Sequence, residues 1–186
     1  RPPLQDNEVD KIAKSIGRYA PATQSENMTD LGNARRLVAQ HGDSIRYVAA
    51  LGWLCWNGKY WEIDKTGAIV RRAKQTVTSI YAEAQQTDNE EMRKALAKHA
   101  MRSESQAAID HMIELAKTEI EVVATAENYD TDPFLLNCFN GTINLRNGKF
   151  ESHNKFSMIT KMATVTYDAT ATCPLFEKFL MRIMDG

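Results

Sequence analysis

WLCWNGKYWEID, residues 53–64, decides how the chain is read. Asn57-Gly58 is the preferred pair for a two-residue hairpin turn, so the stretch predicts two antiparallel strands. In that register Trp56 faces Lys59, Cys55 faces Tyr60, Leu54 faces Trp61 and Trp53 faces Glu62. One face then carries Leu54, Trp56, Trp61 and Ile63, and the other Trp53, Cys55 and Tyr60. Both faces are apolar, which predicts a hairpin covered on both sides. Trp53, Trp56 and Trp61 could stack on bases beside Lys59. A short hairpin is stable only under apolar cover, so the preferred reading makes them core.

Working outward, Ile45 to Val48 reads as a short strand before the hairpin. A helix from Thr29 or Asp30 to His41 precedes it, with Leu31, Ala34, Leu37 and Val38 as its buried stripe and Gly42 as its stop. An earlier helix is expected over 7–19, followed by a polar linker to Asn27. Downstream, three helices are predicted over 68–86, 89–101 and 105–122, with Ser103 and Gln106 placed as a capping box for the last. Asn140-Gly141 and Asn147-Gly148 then divide 134–139, 142–145 and 150–153 into a three-stranded meander. Val165 to Tyr167 is a candidate further strand. Pro174 opens a final apolar helix, where its missing N–H costs nothing. The fold class expected is α+β, a mainly helical domain with two hairpin or meander units.

Bulk properties bound the function. The 186 residues suffice for one self-supporting domain, and 43% hydrophobic with 25% charged residues is ordinary globular composition. A net charge of −1 argues against nucleic-acid binding driven by overall charge, although a local basic patch is compatible with it. Cys55, Cys138 and Cys173 are odd in number and far apart, so no disulfide framework follows and a reducing cytoplasm is the natural reading. No apolar run reaches the ~18 residues of a membrane span. The chain opens at Arg1 without a methionine and closes at Gly186 just past an apolar stretch, which predicts a piece of a larger machine.

No catalytic residue emerges. Gly58-Lys59 and Gly148-Lys149 sit in hairpin turns and are followed by Tyr60 and Phe150, where a phosphate-binding loop requires Ser or Thr. Asp130 and Asp132 resemble a metal-holding carboxylate pair, but they precede Pro133 in a loop, and a turn-and-cap role is preferred. His41, His99, His111 and His153 are isolated and no C-x-x-C occurs, so no metal site and no cofactor are expected in this stretch. Lys94, Lys98 and Arg102 are spaced four apart on one helix face, and Arg71 and Arg72 begin the preceding helix. With Lys59 they are the candidate DNA-contacting residues. A solvated face is the default, because basic and acidic residues nearly cancel in this region. Asp30, Asn33, Arg35 and Arg36 either brace their helix or touch a partner.

Four stretches resemble one family. They are TDLGNARRLV (29–38), RYVAALGWLCWNGKYWEID (46–64), DPFLLNCFNGTINLRNGKF (132–150) and TKMATVTYDATATCPLFEKFL (160–180). In order and spacing they look like the segment upstream of the motor in phage and plasmid primase–helicases, and poxvirus primase–helicases carry a related segment. RPPLQDNEVDKIAKSIGRYAPA, residues 1–22, is similar to the end of the small domain that follows the primase in such proteins. The resemblance implies three parts: 1–26 as the end of an upstream domain and linker, 27–172 as a helicase-associated collar, and 173–186 as the lead-in to a superfamily 3 motor. It implies DNA as a partner, a downstream helicase domain, a hexameric parent, and ATP and magnesium at the parent's motor. Phe176, Phe179, Leu180 and Ile183 are then the candidate motor or subunit contacts.

Overall fold

The computed structural model describes residues 27–184. The helix expected over 7–19 and the segment assigned to 1–26 lie outside them. The described residues form five α-helices and two three-stranded antiparallel sheets, an α+β fold.

Helix α1 (Asp30–His41) begins where the Thr29 hydroxyl accepts the Gly32 N–H at 3.1 Å. It ends where the Gly42 N–H reaches the Val38 carbonyl at 2.7 Å. Gly32 is needed by close approach, since a Cβ there would overlap the Asn27 carbonyl. Ala34, Leu37 and Val38 are buried as expected, but Leu31 is exposed. Its place in the buried set is taken by Asn33 and Arg36, which have polar partners inside.

Strands β1 (Ile45–Val48), β2 (Gly52–Trp56) and β3 (Trp61–Ile63) pair in that order. The register departs from expectation: Trp56 lies opposite Trp61, Cys55 opposite Glu62 and Leu54 opposite Ile63. The loop is 57–60 rather than Asn57-Gly58 alone. Asn57 folds its side chain back, and its Oδ1 accepts the N–H groups of Lys59 and Tyr60 at 3.0 Å each. Because side chains alternate with period two, a two-residue slip changes every partner but leaves each residue on its face. The two apolar faces survive and both are covered.

Helices α2 (Ala68–Gln86), α3 (Glu90–Ser103) and α4 (Gln106–Ala116) follow. Asp64 seats the start of α2 by accepting from Ala68 and Ile69 at 2.8 Å and from Thr66 at 3.0 Å. Asn89 caps α3 and Ser105 caps α4. The box expected at Ser103 and Gln106 does not form, because Ser103 is the buried last residue of α3. Helix α4 also stops short of Val122. Residues 122–124 instead pair with the edge of the first sheet, where Tyr47 N–H donates to Val122 at 2.7 Å and Ala124 N–H donates to Tyr47 at 3.0 Å.

Strands β4 (Leu135–Cys138), β5 (Gly141–Asn144) and β6 (Lys149–Glu151) form the second sheet. Its turns are Phe139-Asn140 and 145–148, so each Asn-Gly pair marks a turn without being the turn. Gly141 is tightly confined, since a Cβ would overlap the Glu151 carbonyl and the Phe150 ring. The stretch expected to add a strand near Val165 runs beside β4 through Ala163 N–H to Asn137 at 2.8 Å and Phe139 N–H to Val165 at 2.9 Å, without forming a regular strand. Helix α5 (Pro174–Met184) closes the described chain. No helix among the described residues is long and apolar enough to cross a membrane.

Three apolar clusters hold this together. Trp53 and Cys55 pack from the first sheet against α1, α2 and α4. Leu54 and Trp61, on the opposite face, pack with Val48 and Tyr129. Ile80 and Ala84 of α2 meet Leu96 and Ala100 of α3. Trp61 is 1% exposed, and its indole N–H donates to the Lys155 carbonyl at 2.8 Å. Trp61→Ala removes the ring and orphans that carbonyl, and is expected to cost about 3–5 kcal/mol. Trp56→Ala, at a half-buried ring, is expected to cost less. Urea unfolding midpoints at constant slope check both.

Candidate functional site

The side chains that carry chemistry in other proteins are here engaged in holding the fold. Asp130 accepts from the Thr160 N–H at 2.9 Å and the Thr160 hydroxyl at 2.5 Å. Asp132 accepts from the Phe134 N–H at 3.0 Å and pairs with Arg146 at 2.9 Å. The two carboxylates thus serve separate turns. His111 meets Asp30 at 3.0 Å, and His153 meets Asn137 Oδ1 at 2.9 Å. No group of three or more His, Cys, Asp or Glu side chains placed to hold a metal occurs among the described residues. Cys55 and Cys138 are buried free thiols and Cys173 is an exposed one.

The polar stretch of α1 divides by orientation. Asp30 and Arg35 face outward, toward His111 and Glu119. Asn33 and Arg36 face inward. The Arg36 guanidinium, 3% exposed, meets both Glu83 oxygens, with Nε–Oε1 at 2.9 Å and Nη2–Oε2 at 3.0 Å, and also donates to the Asn27 carbonyl at 3.1 Å. Asn33 donates to the Ser103 hydroxyl at 2.9 Å, and its Oδ1 lies 2.9 Å from His99 Nε2. One helix is thereby tied to both α2 and α3. A planar fork matched to a carboxylate is the strong form of such a contact. Burial first, and then the Arg36 charge, push His99 below its ordinary pKa.

The six candidate DNA-contacting residues do not form one patch. Arg71 and Arg72 lie in the first turn of α2. Arg71 is tied to Thr66, and Arg72 points back at the Trp56 carbonyl at 3.5 Å. Lys94, Lys98 and Arg102 lie on α3, which packs on the far half of α2 around Ile80 and Ala84. At 1.5 Å per residue, Arg71 and Ala84 are about 20 Å apart along that helix. Lys94 pairs with Glu90 at 2.7 Å, while Lys98 and Arg102 are exposed. Lys59 sits in the hairpin loop, its ammonium 5.5 Å from the Phe139 ring centre. Asn137, which nothing in the sequence singled out, donates to the Lys59 carbonyl at 3.1 Å and to the Lys161 carbonyl at 3.2 Å, and so joins the two sheets.

The four candidate partner contacts do share a surface. On α5, Leu175, Phe176, Phe179, Leu180, Ile183 and Met184 fall on one side of the helix and Lys178 and Arg182 on the other. All six apolar residues are exposed, and no described residue of α5 is buried. Residues 34–185 match the family described as D5 N terminal like. The chain belongs to that family. Domains of this kind occur in phage and viral primase–helicases, so the chain is a primase–helicase N-terminal region. No curated protein matches the chain. Both sheets, helices α2 to α5 and most of α1 of this D5 N-terminal-like domain fall inside the matched span, so the uncovered apolar helix is part of the family's domain.

Two half-buried histidines give the domain a definite response to acid. His99 is held below the ordinary value of 6.5, and burial and the Arg72 charge hold His41 below it as well. The unfolded chain therefore takes up protons first as pH falls. The stability these two neutral rings contribute is complete above 6.5 and is lost below it. Unfolding free energy is expected to decline between about pH 7.5 and 5.5, and His99→Gln to flatten that decline without abolishing it. Urea titrations at each pH measure the slope.

Proposed function

We propose that this domain is a non-catalytic accessory part of a phage- or plasmid-type DNA primase–helicase. In this reading it links priming to ATP-driven unwinding and supports ring assembly of the motor. Residues 27–172 act as the collar, and 173–186 lead into a superfamily 3 motor, where ATP and magnesium are used. Residues 1–26 end an upstream primase-associated domain.

One observation supports this most directly: α5 presents six exposed apolar side chains on one face, and it does so within the span the family shares. Fully burying a Leu, Ile or Phe side chain is worth roughly 1.5–3 kcal/mol, so covering several at once supplies a strong drive toward a neighbouring domain or subunit. The polar surfaces offer no comparable drive, because exposed ion pairs such as Lys94–Glu90 and Lys149–Glu151 are each worth little.

The second reading is a DNA-binding module, for an origin or for single-stranded DNA, within the same replication protein. Lys98 and Arg102 favour it, since both are exposed and neither forms an ion pair among the described residues. If the α3 face follows a DNA backbone, replacing Lys94, Lys98 and Arg102 by alanine lowers affinity at low salt and flattens its salt dependence by about one unit of slope per lost phosphate contact.

For the leading reading, the test is the full-length parent carrying Phe176→Ser, Phe179→Ser and Ile183→Ser together. Sedimentation is expected to show smaller assemblies, and DNA-stimulated ATP hydrolysis and unwinding to fall. The unfolding midpoint of this chain alone is expected to stay put, because no described core residue comes from α5. A triple variant that assembles and unwinds like the parent overturns the proposal.

A further inference from the structure

Asn57-Gly58, Asn140-Gly141 and Asn147-Gly148 are the same dipeptide in three settings. Each carries a latent reaction. The glycine nitrogen can attack the Cγ of the asparagine before it, because the glycine has no side chain to obstruct ring closure. The N–Cγ bond forms, the glycine N–H proton passes to water, and Nδ2 leaves as ammonia with a proton taken from water. Water then opens the succinimide at either carbonyl, giving aspartate or, with the chain rerouted through Cγ, isoaspartate. The sum is amide plus water to acid plus ammonia, with nothing oxidised or reduced.

The settings differ in whether the nucleophile is free, whether charge developing on Oδ1 is stabilised, and whether the amide is held elsewhere. At Asn140 the amide is held at both ends by Tyr167: Nδ2 donates to its carbonyl and Oδ1 accepts its N–H, each at 2.9 Å. Gly141 beside it is confined by the Glu151 carbonyl and the Phe150 ring. At Asn147, Oδ1 accepts one N–H, from Lys149 at 2.9 Å. The Gly148 N–H that must react is engaged there, since it donates to the Asn144 carbonyl at 2.8 Å.

Asn57 differs from both. Its Oδ1 accepts two N–H groups, from Lys59 and Tyr60, at 3.0 Å each. Attack at Cγ puts negative charge on that oxygen, and two donors at this distance are the arrangement that stabilises an oxyanion. The Gly58 N–H donates to no acceptor among the described residues, and a Cβ at Gly58 would meet nothing within 4 Å. Asn57, Gly58 and Lys59 are all exposed, so water reaches the ring.

We propose that Asn57 is a self-modification site, where attack by the Gly58 nitrogen deamidates the 57–60 loop ahead of the two other Asn-Gly pairs. The product bears on the fold. Nδ2 of Asn57 donates to Glu62 at 3.2 Å, and a carboxylate in place of that amide repels Glu62. An isoaspartyl link also puts an extra atom into the loop backbone. The same loop presents the Lys59 carbonyl to Asn137, so the contact between the two sheets loosens as the protein ages. Neither earlier reading enters this inference.

The test incubates the whole chain in mildly alkaline buffer, folded in one sample and unfolded in guanidinium chloride in another. Peptides bearing each pair are followed by mass spectrometry in heavy-oxygen water. In the folded chain Asn57 is expected to convert about tenfold or more faster than Asn140 and Asn147. Its rate is expected to rise with pH, since the Gly58 nitrogen must lose a proton. Unfolding removes the two donors and releases the other pairs, so the three rates are expected to converge. The modified fraction is expected to unfold at lower urea than the fresh chain. Asn57→Gln, whose longer side chain cannot close the same ring, is expected to keep its amide. Conversion of folded Asn57 no faster than that of Asn140 or Asn147 would overturn the proposal. So would the same ranking persisting in the unfolded chain, which would assign it to neighbouring sequence.

Discussion

A small three-stranded sheet with apolar side chains on both faces has no stable existence unless something covers each face. That requirement organises the molecule. Trp53 and Cys55 call for a helical layer on one side, which α1, α2 and α4 supply. Leu54 and Trp61 call for cover on the other, which comes from Tyr129 and partly buried Met158, far along the chain. The second sheet is held to the first by the return of 155–161, through the Lys155 carbonyl on the Trp61 indole, the Trp61 N–H on the Ile159 carbonyl at 2.8 Å, and Asn137 between the Lys59 and Lys161 carbonyls. The hairpin is therefore the joint between the helical half and the second sheet.

The helical half has its own directional fastening. Apolar packing between α1, α2 and α3 fixes proximity but not rotation, since ridges and grooves admit several arrangements. Arg36 on Glu83, and Asn33 between Ser103 and His99, select one arrangement, because any other leaves a guanidinium or an amide buried without partners. This division of labour accounts for the exposure of Leu31: the inward sector of α1 is partly occupied by polar groups, so the apolar stripe is narrower than periodicity alone would draw it.

The elements were legible where local chemistry decides them and illegible where distant residues do. The bounds of α2, the caps at Thr29 and the order of the six strands follow from nearest neighbours and turn residues. The three Asn-Gly pairs marked where the chain reverses, but not the pairing, since Asn57 and Asn147 spend their side chains on neighbouring N–H groups and enlarge the loops to 57–60 and 145–148. The inward turn of Asn33 and Arg36 needs residues about 45 to 70 positions away, and the early end of α4 needs Tyr47. At the candidate sites, the apolar stripe of α5 could be read from spacing. The grouping of the basic residues could not, because it depends on how α3 lies along α2. The exposed phenylalanines of the second sheet carried no signal, since an apolar ring in a strand pattern reads as core.

The edges of both sheets are largely covered among the described residues. Residues 122–124 lie along β1, Ile159 bonds to β3, and 163–165 run beside β4. Among the described strands this leaves β6 as the bare margin, three residues long and carrying the Lys149–Glu151 pair. Neighbouring molecules thus find almost no backbone to extend by adding a strand. Edges covered in this way keep copies of the domain from fusing sheet to sheet into fibres at high local concentration.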